Sequence, residues 1–176
     1  FKVGSVDDPE QYTGLAHYLE HVMFKGTQTI DALDWEKEKP IYEKIIAKYD
    51  ERAALSDPAA REAIDKEIND LTREAAQYAA GNEFSLLVDH MGGQGLNAST
   101  GYDQTGYHNS FPPSQLEKWL EIYSERLIDP VFRGFQTELE AVYEEYNMYN
   151  DDRGSRMREF IYEQAFGDHP YARPII

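Results

Sequence analysis

The chain has 176 residues, room for one ordinary domain or part of a larger one. Its 33 acidic and 17 basic residues give a formal charge of −16, spread along the whole length. That excludes a counterion-release footprint on nucleic acid and a basic patch for an anionic membrane. The absence of cysteine excludes a disulfide framework, thiolate zinc sites and cysteine nucleophiles. No apolar run reaches membrane-spanning length, while 41% hydrophobic and 13% aromatic residues argue for a folded chain.

In chain order, Phe1-Lys2-Val3-Gly4-Ser5-Val6 reads as the second half of a strand, ending near Asp7-Asp8-Pro9. The apolar ends, Phe1 and Pro174-Ile175-Ile176, suggest a piece of something longer. Thr13 is placed to cap a helix from Gly14 whose apolar stripe is Leu15, Leu19, Val22 and Met23. From about 31 to 80 the composition turns densely charged and free of glycine. Ile41, Ile45 and Tyr49 share one helical face. Asp57-Pro58 opens a second helix carrying Ile64, Ile68, Leu71, Ala75 and Tyr78 at seam spacing. Residues 31–80 therefore read as an antiparallel helical hairpin inserted into a domain.

Phe84, Leu87, Val88 and Met91 form a short helix ending at Gly92-Gly93. Gly95–Thr100 and Thr105–Phe111 read as two adjacent strands around Tyr102-Asp103. Ser114-x-x-Glu117 is a capping-box pattern opening a helix with Leu116, Leu120, Tyr123 and Leu127 on one face, and Asp129-Pro130 stops it. Thr137-x-x-Glu140 opens another helical stretch, broken near Asp151-Asp152 and running to Gly167. Short strands and several helices without a βαβ rhythm predict an α+β fold.

The chemistry concentrates in His17-Tyr18-Leu19-Glu20-His21. Histidines at i and i+4 project from one helical face and can reach one metal ion, and Glu20 points to the same side. Strings of this type, or the reversed form, are expected about 0.03 times by chance in such a composition. A hydrolytic zinc site needs a third protein ligand, which a carboxylate or another histidine must supply here. His90, His108 and His169 stand isolated. Glu138 and Glu145, seven apart, lie on nearly the same helical face, in what read alone is an acidic solvated helix.

Gly14–His21 followed by Met23-Phe24-Lys25-Gly26-Thr27 resembles the signature of the inverzincin metallopeptidases, the pitrilysin, insulysin and mitochondrial processing peptidase family. Gly95–Thr100 with Asp103 and Thr105, the helix from Gln115 to Pro130, and Glu138–Glu145 match in the same order, so the resemblance spans most of the chain. It implies that His17, His21 and Glu145 bind one zinc ion, that Glu20 is the general base, and that Glu138 supports the site. Glu144 competes with Glu145; the Ala141-Val142 register and the spacing from Glu138 favour Glu145. The strand Leu96–Thr100 resembles the family's substrate-binding edge, with Asn97 and Ala98 near the scissile bond of an added peptide.

His21 and Glu145 stand 124 positions apart, roughly fifty more than is common in this family, and the 31–80 hairpin accounts for the surplus. The implied fold is a partial antiparallel-sheet-plus-helices half-unit, a single incomplete N-terminal peptidase domain over 1–176. The implied activity is zinc-dependent endopeptidase cleavage of peptides or unfolded segments. Its partners would be the peptide substrate and a C-terminal half or partner subunit, with no nucleic acid and no membrane-spanning segment. The bacterial periplasm or envelope is the location the resemblance suggests. A non-catalytic pitrilysin-like subunit is the alternative, although such relatives typically lose motif residues. S-ribosylhomocysteine lyase shares the pentapeptide pattern but needs a cysteine, and is excluded.

Overall fold

The computed structural model describes residues 1–176. The first helix, α1 (Leu15–Val22), carries the two histidines of the motif. Its leading backbone donors are satisfied from a distance: the Asp8 carboxylate accepts from the N–H groups of Gly14 (2.8 Å) and Ala16 (2.9 Å). Thr13, the expected cap, is not used. Gly14 holds φ at +84°, the left-handed region that a side chain resists, and so lets the chain turn into the helix.

The expected stripe of α1 is split. Val22 and Met23 are buried, but Leu15 and Leu19 are exposed, and Ala16, Tyr18 and Glu20 are buried in their place. The helix is covered from two directions, by the sheet on the Glu20 side and by α6 (Phe135–Asp151) on the Tyr18 and Val22 side. Apolar periodicity marks which residues share a face, not which face finds a partner.

No regular strand forms at residues 1–6. Phe1 makes one antiparallel pair with Thr105, its ammonium donating to the Thr105 carbonyl (2.8 Å) and its carbonyl accepting from the Thr105 N–H (3.2 Å). The chain then crosses the turn between the strands, with Ser5 and Val6 N–H groups donating to the carbonyls of Gly101 and Tyr102, both at 3.1 Å. Ser5–Asp7 closes as a single 3-10 turn.

Two helices occupy most of residues 31–80. The Asp34 side chain caps α2 (Trp35–Ala54) by accepting from Lys37 N–H at 3.2 Å, and Asp57 caps α3 (Pro58–Ala75) by accepting from Ala60 N–H at 3.0 Å. Arg52 pairs with Asp65, and Lys48 with Glu67 (2.6 Å), which sets the helices antiparallel. Ile41, Ile64 and Ile68 fill the seam. The ends of the segment meet: Ala32 bridges Ala79, Leu33 N–H donates to Tyr78 O (2.8 Å) and Ala80 N–H to Asp31 O (3.0 Å). Segment 31–80 thus leaves and re-enters the body at one place.

After α4 (Glu83–His90) come β1 (Gln94–Thr100) and β2 (Thr105–Ser110), an antiparallel pair with Asn97 opposite His108, Ala98 opposite Tyr107 and Thr100 opposite Thr105. Then follow α5 (Leu116–Ile128), α6 and α7 (Arg153–Phe166). The helices and two-stranded sheet make an α+β architecture. Neither predicted capping box operates. A 3-10 turn, Pro113–Gln115, precedes α5, and α6 starts after Gly134, placing Thr137 inside its first turn. The chain before α6 is already held by the Thr27–Pro130 bridge and by Arg133, so the helix begins earlier than its best cap. The break at Asp152 is as expected: its side chain accepts from Ser155 N–H at 2.7 Å and caps α7.

Two apolar clusters hold the fold. One joins Ile30, Phe84, Val88 and Tyr123; the other joins Tyr18, Val22 and Val142 under the motif helix. Helix α5 turns a different face inward from the one expected. Trp119, Ile122, Tyr123 and Arg126 face the body, while Leu116, Leu120 and Leu127 are exposed. Arg126 is fully buried. Its Nε donates to Met23 O (2.8 Å) at the end of α1, and its guanidinium lies 4.2 Å from the ring centroids of Phe24 and Tyr107 and 4.5 Å from Phe84. The aromatic faces offset part of the desolvation of that charge, and burial still pulls its pKa below the usual arginine value. No helix is long and apolar enough to cross a membrane.

Candidate metal centre

Helix α1 aims His17 and His21 at α6, where Glu145 meets both. The Glu145 Oε2 atom is 3.6 Å from His17 Nε2 and 3.5 Å from His21 Nε2. One donor atom from each of the three side chains lies within 4.8 Å of the others. Tetrahedral coordination with bonds of about 2.0–2.1 Å sets donors roughly 3.4 Å apart, so two imidazole nitrogens and a carboxylate oxygen stand near zinc-binding spacing. The donor types fit zinc as well. Glu144 instead lines a separate groove with Leu139 and Tyr143.

The electrostatics favour the ligating form of His17. Burial first, and the neighbouring His21 second, hold its pKa below the ordinary imidazole value, so the ring is neutral at pH 7. His17 Nδ1 is buried without a hydrogen-bond partner. His21 Nδ1 is 3.5 Å from Glu138 Oε2, and Glu138 in turn forms an ion pair with Lys25. A carboxylate behind a ligating imidazole fixes the ring's orientation and raises its basicity.

Glu20 sits one residue before His21 and turns toward the sheet. It is buried, with Oε2 accepting from the Thr100 hydroxyl at 2.5 Å, and its backbone carbonyl faces the Tyr107 hydroxyl at 3.5 Å. Thr100 is also 3.3 Å from the Thr105 hydroxyl, which donates to Val3 O at 3.0 Å. This chain directs the Thr100 proton at Glu20 and leaves the other carboxylate oxygen free for the cleft. Sequence reasoning missed Thr100 as a holder of Glu20, and no local signal joins the two residues, which lie 80 positions apart.

Asn97 and Ala98 line the same cleft as the three donors, a cavity of about 720 Å3. Thr105 spends both backbone groups on Phe1, so it faces Thr100 as a non-hydrogen-bonded pair. By the alternation of antiparallel ladders, Asn97 and Ser99 bond to β2, and the backbone groups of Ala98 and Thr100 point to the open edge. There the Ala98 N–H is held by the Asn97 side-chain oxygen at 2.9 Å. The far wall holds Tyr102, Tyr149, Arg158 and Tyr162. A strand edge whose Ala98 and Thr100 backbone groups are turned away from β2 thus borders a three-donor cluster and a buried carboxylate.

The sequence profile of the insulinase family, peptidase family M16, matches residues 1–40 and 61–176. The chain belongs to that family. Among curated proteins it is 26% identical to an uncharacterised zinc protease of Mycobacterium leprae, over 99% of this chain and 28% of the relative. It is 27% identical to one of Mycobacterium tuberculosis, over 99% of this chain and 29% of that protein. The fold matches the crystal structure of a protease from Helicobacter pylori with a TM-score of 0.65 at 23% identity, covering 98% of this chain and 30% of the other. The chain therefore spans less than a third of the length of the relatives it matches.

Proposed function

We propose that the chain carries the metal-binding half of a zinc-dependent endopeptidase, with His17, His21 and Glu145 as ligands. The observation that carries this reading is the convergence of those three donors beside the buried Glu20. A zinc ion held there would supply Lewis acidity, polarising the scissile carbonyl and bringing the pKa of a water toward about 7. Glu20, held on one side by Thr100, takes the proton of the attacking water and passes it to the leaving amine. Glu138 holds the His21 ring, and Lys25 neutralises the charge that Glu138 adds behind the site. An extended peptide adds to the open edge of β1 through the backbone of Ala98 and Thr100, with Asn97 beside it. Reading the backbone first suits peptides and unfolded segments of varied sequence.

The same reading makes 31–80 an insertion, supported by its ends meeting at Ala32 and Ala79; the family match passes over residues 41–60 and includes the flanking 31–40 and 61–80. It also assigns the additional length of the relatives to a second half or partner subunit that closes the cleft.

Zinc content and peptide cleavage of the full-length protein test the reading. Glu145→Gln is expected to weaken zinc binding by a factor of a hundred or more, on the order of what losing a ligand must exceed if outer-shell changes cost 10–100-fold. Glu20→Gln is expected to keep stoichiometric zinc and lose about a hundredfold or more in turnover. Zinc binding untouched by Glu145→Gln would refute the ligand set. Zinc binding with no cleavage of any peptide would instead favour a non-catalytic binding subunit.

A further inference from the structure

The cleft beside the three donors has a chemically distinct far end. Of its sixteen lining residues, Arg158 is the one Lys or Arg. Lys25, which reaches Glu138 on the cleft wall from outside the lining, is already paired. Arg158 has no carboxylate within ion-pair distance. Its one hydrogen bond runs from Nη2 to the Ser155 hydroxyl at 3.3 Å, which leaves most of its donor fork unused. Arg158 is exposed at the cleft wall, and no other Lys or Arg offers a positive charge there.

The surroundings hold it in place. Ser155 is buried at the start of α7. Tyr162, one turn beyond Arg158, stacks on Tyr102 with ring centroids 5.2 Å apart and planes at 11°. Tyr102 belongs to the turn that follows β1, two residues past Thr100, so this stack fixes the end of the strand edge relative to Arg158. The turn is tied again by the Tyr171 hydroxyl, which lies 2.9 Å and 2.7 Å from the two Asp103 carboxylate oxygens. Tyr149, one turn after Glu145 on α6, continues the wall from the metal donors to this corner.

We propose that Arg158, framed by Tyr102, Tyr149 and Tyr162, is a subsite for a substrate carboxylate, selecting peptides that carry one near the scissile bond. It rests on the peptidase reading above. The carboxylate belongs to an Asp or Glu side chain or to a free C-terminus, two sources of one chemistry. The net negative charge of the chain opposes any acidic peptide at long range, but at physiological salt that field is screened beyond about 8 Å. Contact with Arg158 therefore decides.

The test uses the zinc-loaded full-length protein and a neutral parent peptide. One Asp is walked through the positions flanking the cleaved bond, each compared with Asn, and the parent is supplied with a free or an amidated C-terminus. One position is expected to show a preference of about five- to tenfold for Asp over Asn, carried by KM, because a charge-assisted contact is tempered by partial exposure. Arg158→Gln should bring that ratio to about one, and Arg158→Glu should invert it toward Lys. A preference confined to the free-acid peptide would assign the site to the C-terminus. A ratio near one at every position, or a ratio that survives Arg158→Glu, overturns the proposal. The same peptides titrated onto Glu20→Gln protein by fluorescence anisotropy report the preference without turnover. If no peptide is cleaved but the Arg158-dependent binding preference remains, the peptidase reading falls and the carboxylate subsite stands. Absence of any binding preference overturns the subsite.

Discussion

Arg133 ties three parts of the molecule together within one side chain. Its Nε and Nη2 donate to the Glu38 carboxylate at 2.6 Å and 2.9 Å, and its remaining donors reach the carbonyls of Lys25 (2.9 Å) and Thr27 (2.7 Å). Glu38 is 1% exposed, and Arg133 is its ion-pair partner. The pair links the first turns of α2 to the loop that ends the motif helix, and that loop carries Lys25 to Glu138. Arg133→Met is expected to destabilise the protein by about 3–5 kcal/mol, because it strands a buried carboxylate. Arg133→Met with Glu38→Met should recover much of that, since a hydrophobic pair replaces a desolvated ion pair. Urea unfolding of the three proteins checks it. A double variant no better than the single would show that the freed carbonyls, not the stranded charge, carry the cost. Single residues also show the reach of sequence reasoning. Glu145 was separable from Glu144 by helical geometry, since adjacent positions differ by about 100°. Thr100 was not legible as the partner of Glu20, because 80 residues lie between them and no local pattern joins a strand hydroxyl to a helix carboxylate.

At the scale of elements, the hairpin divides into a root that touches the metal region and a tip that does not. Glu38 and Tyr42 belong to the root, Tyr42 through its hydroxyl to Phe132 N–H at 3.4 Å. The ion pairs Lys48–Glu67 and Arg52–Asp65 belong to the tip. Replacing the segment from Lys48 to Glu67 by a short turn is expected to leave zinc affinity within about twofold, because loop length costs little closure entropy. Removing the hairpin from Ala32 to Ala79 should lower stability by about 3 kcal/mol or more through the loss of Glu38 beside Arg133. Competition titration with a zinc chelator and thermal unfolding measure the two effects; a tip deletion that releases zinc would refute the division. The cap at Asp57 was readable because it is a local bond between a side chain and an N–H three residues on, and the expected break at Asp152 is closed by a bond of the same kind. The inward face of α5 was not. Trp119, Ile122, Tyr123 and Arg126 have good helical spacing, but an arginine reads as solvent-facing until the ring cage around it is known.

For the molecule as a whole, charge and core size stand in tension. The net charge is −16, while 26 of 176 residues are buried, so little apolar burial opposes the self-repulsion of the compact state. Raising salt from about 10 mM to 150 mM shortens the screening length from roughly 30 to 8 Å. Exposed ion pairs lose at most a fraction of 1 kcal/mol each in the same change. The midpoint of thermal unfolding is therefore expected to rise by a few degrees, about what 1 kcal/mol produces in a chain of this size. Calorimetry at the two salt concentrations decides, and a fall would mean that the ion pairs outweigh the net repulsion.

The sequence by itself determined the parts set by covalent spacing. His17 and His21 share a helical face because they are four residues apart, the acidic hairpin is helical because its apolar residues keep seam spacing, and Asp34, Asp57 and Asp152 open helices next to themselves. Tertiary structure alone decided what is distant along the chain. It brought Glu145 to two imidazoles 124 or more residues away, set Thr100 against Glu20, and closed a ring cage over Arg126. It also set Arg158 as the one Lys or Arg lining the cleft of the three donors. Those outcomes depend on which faces cover one another, a choice made by packing the whole chain and written in no single stretch of it.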